Sequence, residues 1–144
     1  ILRDAHDRIK STLPEYVTRS KANRRKDLWV TYLDGPGKSG SSLAGLYADT
    51  NRISTTCIKE IAVVDLDFSS GSSSSKDIKT LLILDDFVGS GDSLAGALTD
   101  FYERNGSEIQ KRNLQVVIVL VCATSIGEEK IRASLQVLDV SADL

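Results

Sequence analysis

Leu81-Leu82-Ile83-Leu84-Asp85-Asp86-Phe87-Val88-Gly89-Ser90-Gly91-Asp92-Ser93 decides how the rest of the sequence reads. Four consecutive apolar residues closed by two acids describe a strand buried on both faces. A glycine-serine turn follows, and beyond it Leu94, Ala97, Leu98 and Phe101 recur at helical spacing, so Ser93 to Arg104 reads as a helix. Strand, tight turn and helix in that order make half of a parallel α/β unit.

The pattern repeats outward from this stretch. Gln115 to Ala123, QVVIVLVCA, is a second fully apolar strand, and Ile126 to Leu138 carries Ile131, Leu135 and Leu138 on one helical face. Upstream, Leu28 to Leu33, LWVTYL, is rich in β-branched and aromatic residues and stops at Asp34-Gly35-Pro36-Gly37. Ser39 to Asn51 then suits a helix, with Ser41 and Ser42 available as caps. Ile61 to Leu66, IAVVDL, reads as a further strand, and Leu2 to Val17 as an amphipathic helix interrupted by Pro14. The expected architecture is α/β, three-layer, with a mostly parallel sheet of about five strands flanked by helices. In such sheets ligands sit beyond the carboxyl ends of the strands, which directs attention to the strand-to-helix loops.

Composition narrows the classes. With 144 residues, 41% hydrophobic and 26% charged, the sequence fits one domain able to bury a core. Its longest apolar run, Val116 to Ala123, is strand-sized and far below the roughly 18 residues of a membrane span, so no span and no signal peptide are expected and a cytoplasmic location follows. The two cysteines, Cys57 and Cys122, have no CxxC spacing and the single histidine, His6, reads as a surface helix residue, which argues against a zinc site or a disulfide scaffold. Methionine is absent even at position 1, and Ile1 falls in a helix-like stretch, so the sequence reads as a fragment.

Charge is uneven. Residues 1–27 hold eight Lys/Arg against four Asp/Glu, while residues 28–144 hold ten against sixteen. The expected division is an N-terminal helix and basic linker over 1–27 and an α/β domain over 28–144. Arg19, Lys21, Arg24, Arg25 and Lys26 could meet phosphates of a ligand or of nucleic acid, but cations without interleaved aromatics more often form a solvated face, and that reading is favoured over nucleic acid. Ser69 to Ser75 contains no apolar side chain and reads as a mobile tract, whether linker, insert or lid.

Two loops carry the chemistry. Ser39-Gly40-Ser41-Ser42-Leu43-Ala44-Gly45 reads against Ser90-Gly91-Asp92-Ser93-Leu94-Ala95-Gly96, each placing glycine and hydroxyls where a helix begins. Glycine lets backbone N–H groups approach an anion, and the helix start adds positive potential. Turns and caps alone would use the same residues. Gly37-Lys38-Ser39 invites a triphosphatase reading, but that motif needs a glycine where Tyr32 stands.

The run from Leu81 to Ser93 resembles the diphosphosugar-binding signature of the type I phosphoribosyltransferases: four apolar residues, two acids, and a loop closing in Ser-Gly-x-Ser. That resemblance implies that Asp85 and Asp86 are catalytic, holding the ribose hydroxyls of phosphoribosyl diphosphate and, through water, Mg²⁺. Gly89, Ser90, Gly91, Asp92 and Ser93 would cradle the 5′-phosphate. Gly35, Pro36, Gly37, Lys38, Ser39 and Gly40 look like the loop that takes the pyrophosphate, and the tract at 69–75 lies where the family has a closing lid. The implied reaction transfers the phosphoribosyl group to a nitrogen acceptor such as a nucleobase. The sequence departs from the pattern in Asp92, whose charge needs compensation by Mg²⁺ or Lys38, in a lid without Arg, Tyr or His, and in the lack of an evident base-binding hood. The wording of the loop is also similar to divergent members in bacterial conflict systems, some associated with retrons. Two alternatives therefore stand: a catalytically weak sugar-phosphate or nucleotide binder in regulation or defence, and a P-loop-like nucleotide binder. Expected partners are phosphoribosyl diphosphate or a related sugar phosphate or nucleotide, with no membrane and with room for a homodimer.

Overall fold

A computed structural model describes residues 1–12, 27–34, 38–71, 78–138 and 142–143. The basic cluster from Arg19 to Lys26, residues Gly35 to Gly37 and Ser72 to Ser75 lie outside them. The elements are α1 (Leu2–Thr12), β1 (Leu28–Thr31), α2 (Ser39–Asn51), a 3-10 turn (Thr55–Cys57), α3 (Ile61–Ser70), β2 (Thr80–Val88), α4 (Asp92–Lys111), β3 (Gln115–Ala123), α5 (Ser125–Val137) and β4 (Ala142–Asp143).

All strand pairings are parallel, in the order β1-β2-β3-β4. Trp29 lies opposite Leu81, Leu81 opposite Val116, and Val116 opposite Ala142. The middle strand β2 is buried on both faces, which is why Leu81 to Leu84 are uniformly apolar. On one face Trp29, Leu81, Ile83, Val116 and Ile118 meet α3, α4 and α5 through Val64, Phe68, Leu98, Phe101, Ile131 and Leu135. On the other, Leu28, Val30, Leu82, Leu84 and Val117 meet α1 and α2 through Ile9, Leu43, Ala44 and Tyr47. The result is the expected three-layer α/β arrangement. Each fully buried Leu or Ile contributes about 1.5–3 kcal/mol, so this double-sided core is the main stabilising term.

The sheet is smaller than expected. Among the described residues it has three full strands and the two-residue β4, not about five strands. The missing strand is Ile61 to Leu66, which is helical, as the first part of α3. A short apolar run does not distinguish strand from helix; here Val64 and Phe68 point inward at helical spacing, Phe68 stacks on Trp29 at 6.0 Å between ring centroids, and Gly71, at φ 63, caps the end. Ser69 and Ser70 belong to that helix rather than to a loose tract. Among the described residues, Ile58 stands beside β1 in a single parallel bridge to Val30.

Two further expectations change. His6 is buried, not on the surface: its Nδ1 lies 2.7 Å from the Tyr47 hydroxyl, joining α1 to α2. Burial is the main reason its pKa falls to about 4. The helix after β2 also runs on to Lys111, because Asn105 and Ile109 continue its buried face and the Asn105 amide donates to Asp65 of α3. No helix among the described residues is long and apolar enough to cross a membrane.

Candidate functional site

Because β1 and β2 are adjacent and parallel, the loops that leave them emerge at the same edge of the sheet. Asp85 and Asp86 lie within β2, which continues to Val88, so strand hydrogen bonding rather than loop conformation holds them. Both are half-buried. Burial, reinforced by the carboxylates of Asp86 and Asp34, holds the Asp85 carboxyl above the usual range; the Phe87 amide, which donates to it at 3.2 Å, works in the opposite direction. Asp34 comes from the loop after β1. Three carboxylates from two strand ends therefore share one neighbourhood.

The loop after β2 is shaped by close approach. Gly91 sits at φ 82, where side chains are strained, and a Cβ there would lie 2.9 Å from the Gly127 carbonyl oxygen. Gly127, in the first turn of α5, is as confined: its Cβ would lie 2.4 Å from the Gly89 carbonyl oxygen. Thr124 joins the two, its hydroxyl donating to the Gly89 carbonyl at 2.6 Å and accepting from the Gly127 amide at 3.0 Å. Thr124 is also the N-cap of α5. Ser90, Asp92 and Ser93 are exposed at the start of α4, which has no side-chain cap, and the Ser90 hydroxyl approaches the Asp92 amide at 3.4 Å.

The loop after β1 is built differently, despite the matching sequence. Here α2 starts at Ser39, so Gly40 lies inside its first turn, whereas its counterpart Gly91 precedes α4. A Cβ on Gly40 would lie 2.1 Å from the Asp34 carboxylate, and the Gly40 amide donates to that carboxylate at 3.0 Å. Neither Ser41 nor Ser42 caps the helix; the N-cap is Lys38, without a side-chain bond, and the Ser41 hydroxyl donates back to the Lys38 carbonyl. Lys38 and Ser39 are exposed. Gly35, Pro36 and Gly37 lie outside the described residues.

A family model described as PRTase-CE matches residues 1–143. The chain belongs to the PRTase-CE family. It is therefore a phosphoribosyltransferase-like domain, as the run from Leu81 to Ser93 implies, and the match takes in α1 as well as the sheet. No curated protein and no solved structure matches the chain.

In this PRTase-CE domain the structure gives a further role to Asp34, which opens the stretch Asp34 to Gly40 that resembles the pyrophosphate loop, and it adds residues to which the sequence does not point. Asp34 enters the carboxylate group, and Thr124, Gly127 and Lys130 support the loop after β2 from the neighbouring helix. Lys130 forms an ion pair with Asp92, so the charge at that position is balanced by a residue of α5 rather than by Lys38. The pair holds the Asp92 carboxyl below its usual range. The text Thr124-x-x-Gly127 after a strand, a capping residue before a helical glycine, was the available signal. Its contact with Gly89 joins loops 35 residues apart and has no local signature.

Proposed function

We propose that this PRTase-CE domain binds phosphoribosyl diphosphate with Mg²⁺ and transfers its phosphoribosyl group to a nitrogen acceptor, releasing pyrophosphate. The observation that carries the reading is the meeting, at one sheet edge, of the Asp85–Asp86 pair with a glycine loop held open by Thr124 and Gly127. Carboxylates accept from ribose hydroxyls, and a glycine-serine loop at an uncapped helix start is suited to a phosphate.

The donor set fits Mg²⁺. Asp85 and Asp86, with Asp34 nearby, offer only hard oxygen donors; burial first and the neighbouring carboxylates second raise the Asp85 pKa, and a cation would relieve the second of these. Among the described residues no three His, Cys, Asp or Glu side chains are grouped so as to hold a metal ion, so the proposed Mg²⁺ would depend on water and the ligand's oxygens for most of its shell. Bound Mg²⁺ would supply neutralisation of charge on the departing pyrophosphate. Asp85 and Asp86 would orient the ribose and stabilise positive charge growing at its C1, while Gly89 to Ser93 fix the 5′-phosphate and so the angle of the sugar. Lys38, Ser39 and Gly40 would receive the pyrophosphate. There the Gly40 amide must be released by Asp34, so pyrophosphate binding and carboxylate movement are coupled in this chain.

That same bond favours a second reading, a binder of sugar phosphates without turnover. A carboxylate already occupies a donor of the pyrophosphate loop, and His6 is packed against Tyr47, away from a catalytic role. Pyrophosphate release measured with a panel of nucleobases separates the two. Release with at least one base supports transfer; binding of phosphoribosyl diphosphate without release from any base supports the binder.

A further inference from the structure

The ion pair between Lys130 and Asp92 lies at the entrance of the loop after β2, and nothing in the phosphoribosyl-binding signature requires it. Asp92 is the first residue of α4, where its charge suits the helix but opposes an incoming anion. Lys130 rises from α5 beside the loop: its Cβ is 3.2 Å from where a Cβ of Gly91 would stand, and its Nζ reaches the Asp92 carboxylate. The two side chains are 45% and 65% exposed, so the pair is solvated and weak. A dianionic phosphate seated at Gly89 to Ser93 is the stronger partner for the same ammonium.

We propose that Lys130 is a phosphate-binding residue: its ammonium rests on Asp92 while the loop is empty and turns to the phosphomonoester when one enters. This rests on the reading that the loop takes a phosphate. It adds a cation from α5 to a loop whose other donors are backbone N–H groups and hydroxyls, and it gives Asp92 the role of holding that cation in position at the cost of competing for it.

The test is calorimetric titration of the whole chain with ribose 5-phosphate, across pH 5 to 8. Lys130→Gln should weaken binding about tenfold or more, since a hydrogen bond to a charged group is lost, and Lys130→Arg should restore most of it. Asp92→Asn should tighten binding about threefold by freeing the lysine. The parent's affinity should rise through the second phosphate ionisation near pH 6, and this rise should flatten in Lys130→Gln, an effect that loss of a merely structural ion pair would not produce. Unchanged affinity and pH profile in Lys130→Gln overturn the proposal while leaving the sugar-phosphate reading intact. If the parent binds neither ribose 5-phosphate nor phosphoribosyl diphosphate, both fall. Should Lys130→Gln fail to fold, Lys130→Met, which keeps the aliphatic stem, decides: weaker binding with a flattened pH profile supports the role, and unchanged affinity and profile overturn it.

Discussion

The Thr124 hydroxyl, 2.6 Å from the Gly89 carbonyl oxygen, ties the loop after β2 to the helix after β3. One side chain thus caps α5 and fixes the curvature of the candidate phosphate loop. Thr124→Val keeps the shape and removes both bonds, so it should cost about 1 kcal/mol and lower Tm by roughly 3 °C. Sugar-phosphate affinity should fall further than this implies, because the freed loop must be ordered at binding. Thr124→Ser, which retains the hydroxyl, should recover both properties in thermal melts and titrations.

Glycines divide by what surrounds them. Gly127→Ala would place a Cβ 2.4 Å from the Gly89 carbonyl oxygen and 2.8 Å from Val88, and backbone on one side cannot yield cheaply. A loss of about 1–3 kcal/mol is expected, with the loop pushed off α5. Gly45 meets nothing within 4 Å inside α2, so Gly45→Ala should instead stabilise by about 0.5–1 kcal/mol. Denaturant titration of the two variants should give shifts of opposite sign.

The carboxylate neighbourhood opposes stability. A carboxyl with a raised folded pKa stabilises the fold when protonated, and that stabilisation is lost as pH rises from its unfolded value through the folded one. Asp85→Asn removes a half-buried charge and its repulsion with Asp86 and Asp34, so in metal-free buffer at pH 7 it should raise Tm, while in Mg²⁺ buffer it should weaken binding of phosphoribosyl diphosphate about tenfold or more. A variant that melts below the parent would show that these three groups do not repel one another as described.

His6 gives the opposite pH dependence. Its folded pKa, about 4, lies below its ordinary value of 6.5, so protonation favours the unfolded chain. Stability from this group is complete above pH 6.5 and is lost as pH falls toward 4. His6→Gln, which can still meet the Tyr47 hydroxyl, should show a shallower decline of Tm over that window.

Legibility in the sequence followed the length and isolation of each signal. Gln115–Ala123 and Ser39–Asn51 stand in the structure where the sequence puts them, because a long apolar run and a helix bounded by a tight loop each have one solution. Ile61 to Leu66 misled because six apolar-rich residues satisfy either period, and the inward packing of Val64 and Phe68, with Phe68 stacked on Trp29, accompanies the helix that forms. At the site, Asp85, Asp86 and the glycine loop were legible as one contiguous run. The roles of Asp34, Thr124, Gly127 and Lys130 were not, since each acts across strands that only the parallel sheet brings side by side.

The central claim is that Asp85 and Asp86 hold a phosphoribosyl ligand. It is tested most directly by calorimetric titration of phosphoribosyl diphosphate, in Mg²⁺ buffer, into the parent chain and into Asp85→Asn/Asp86→Asn. Binding by the parent and loss of roughly a hundredfold or more in the variant is the expected result, two charged hydrogen bonds being removed. Equal affinity in both proteins, or none in the parent, would contradict it.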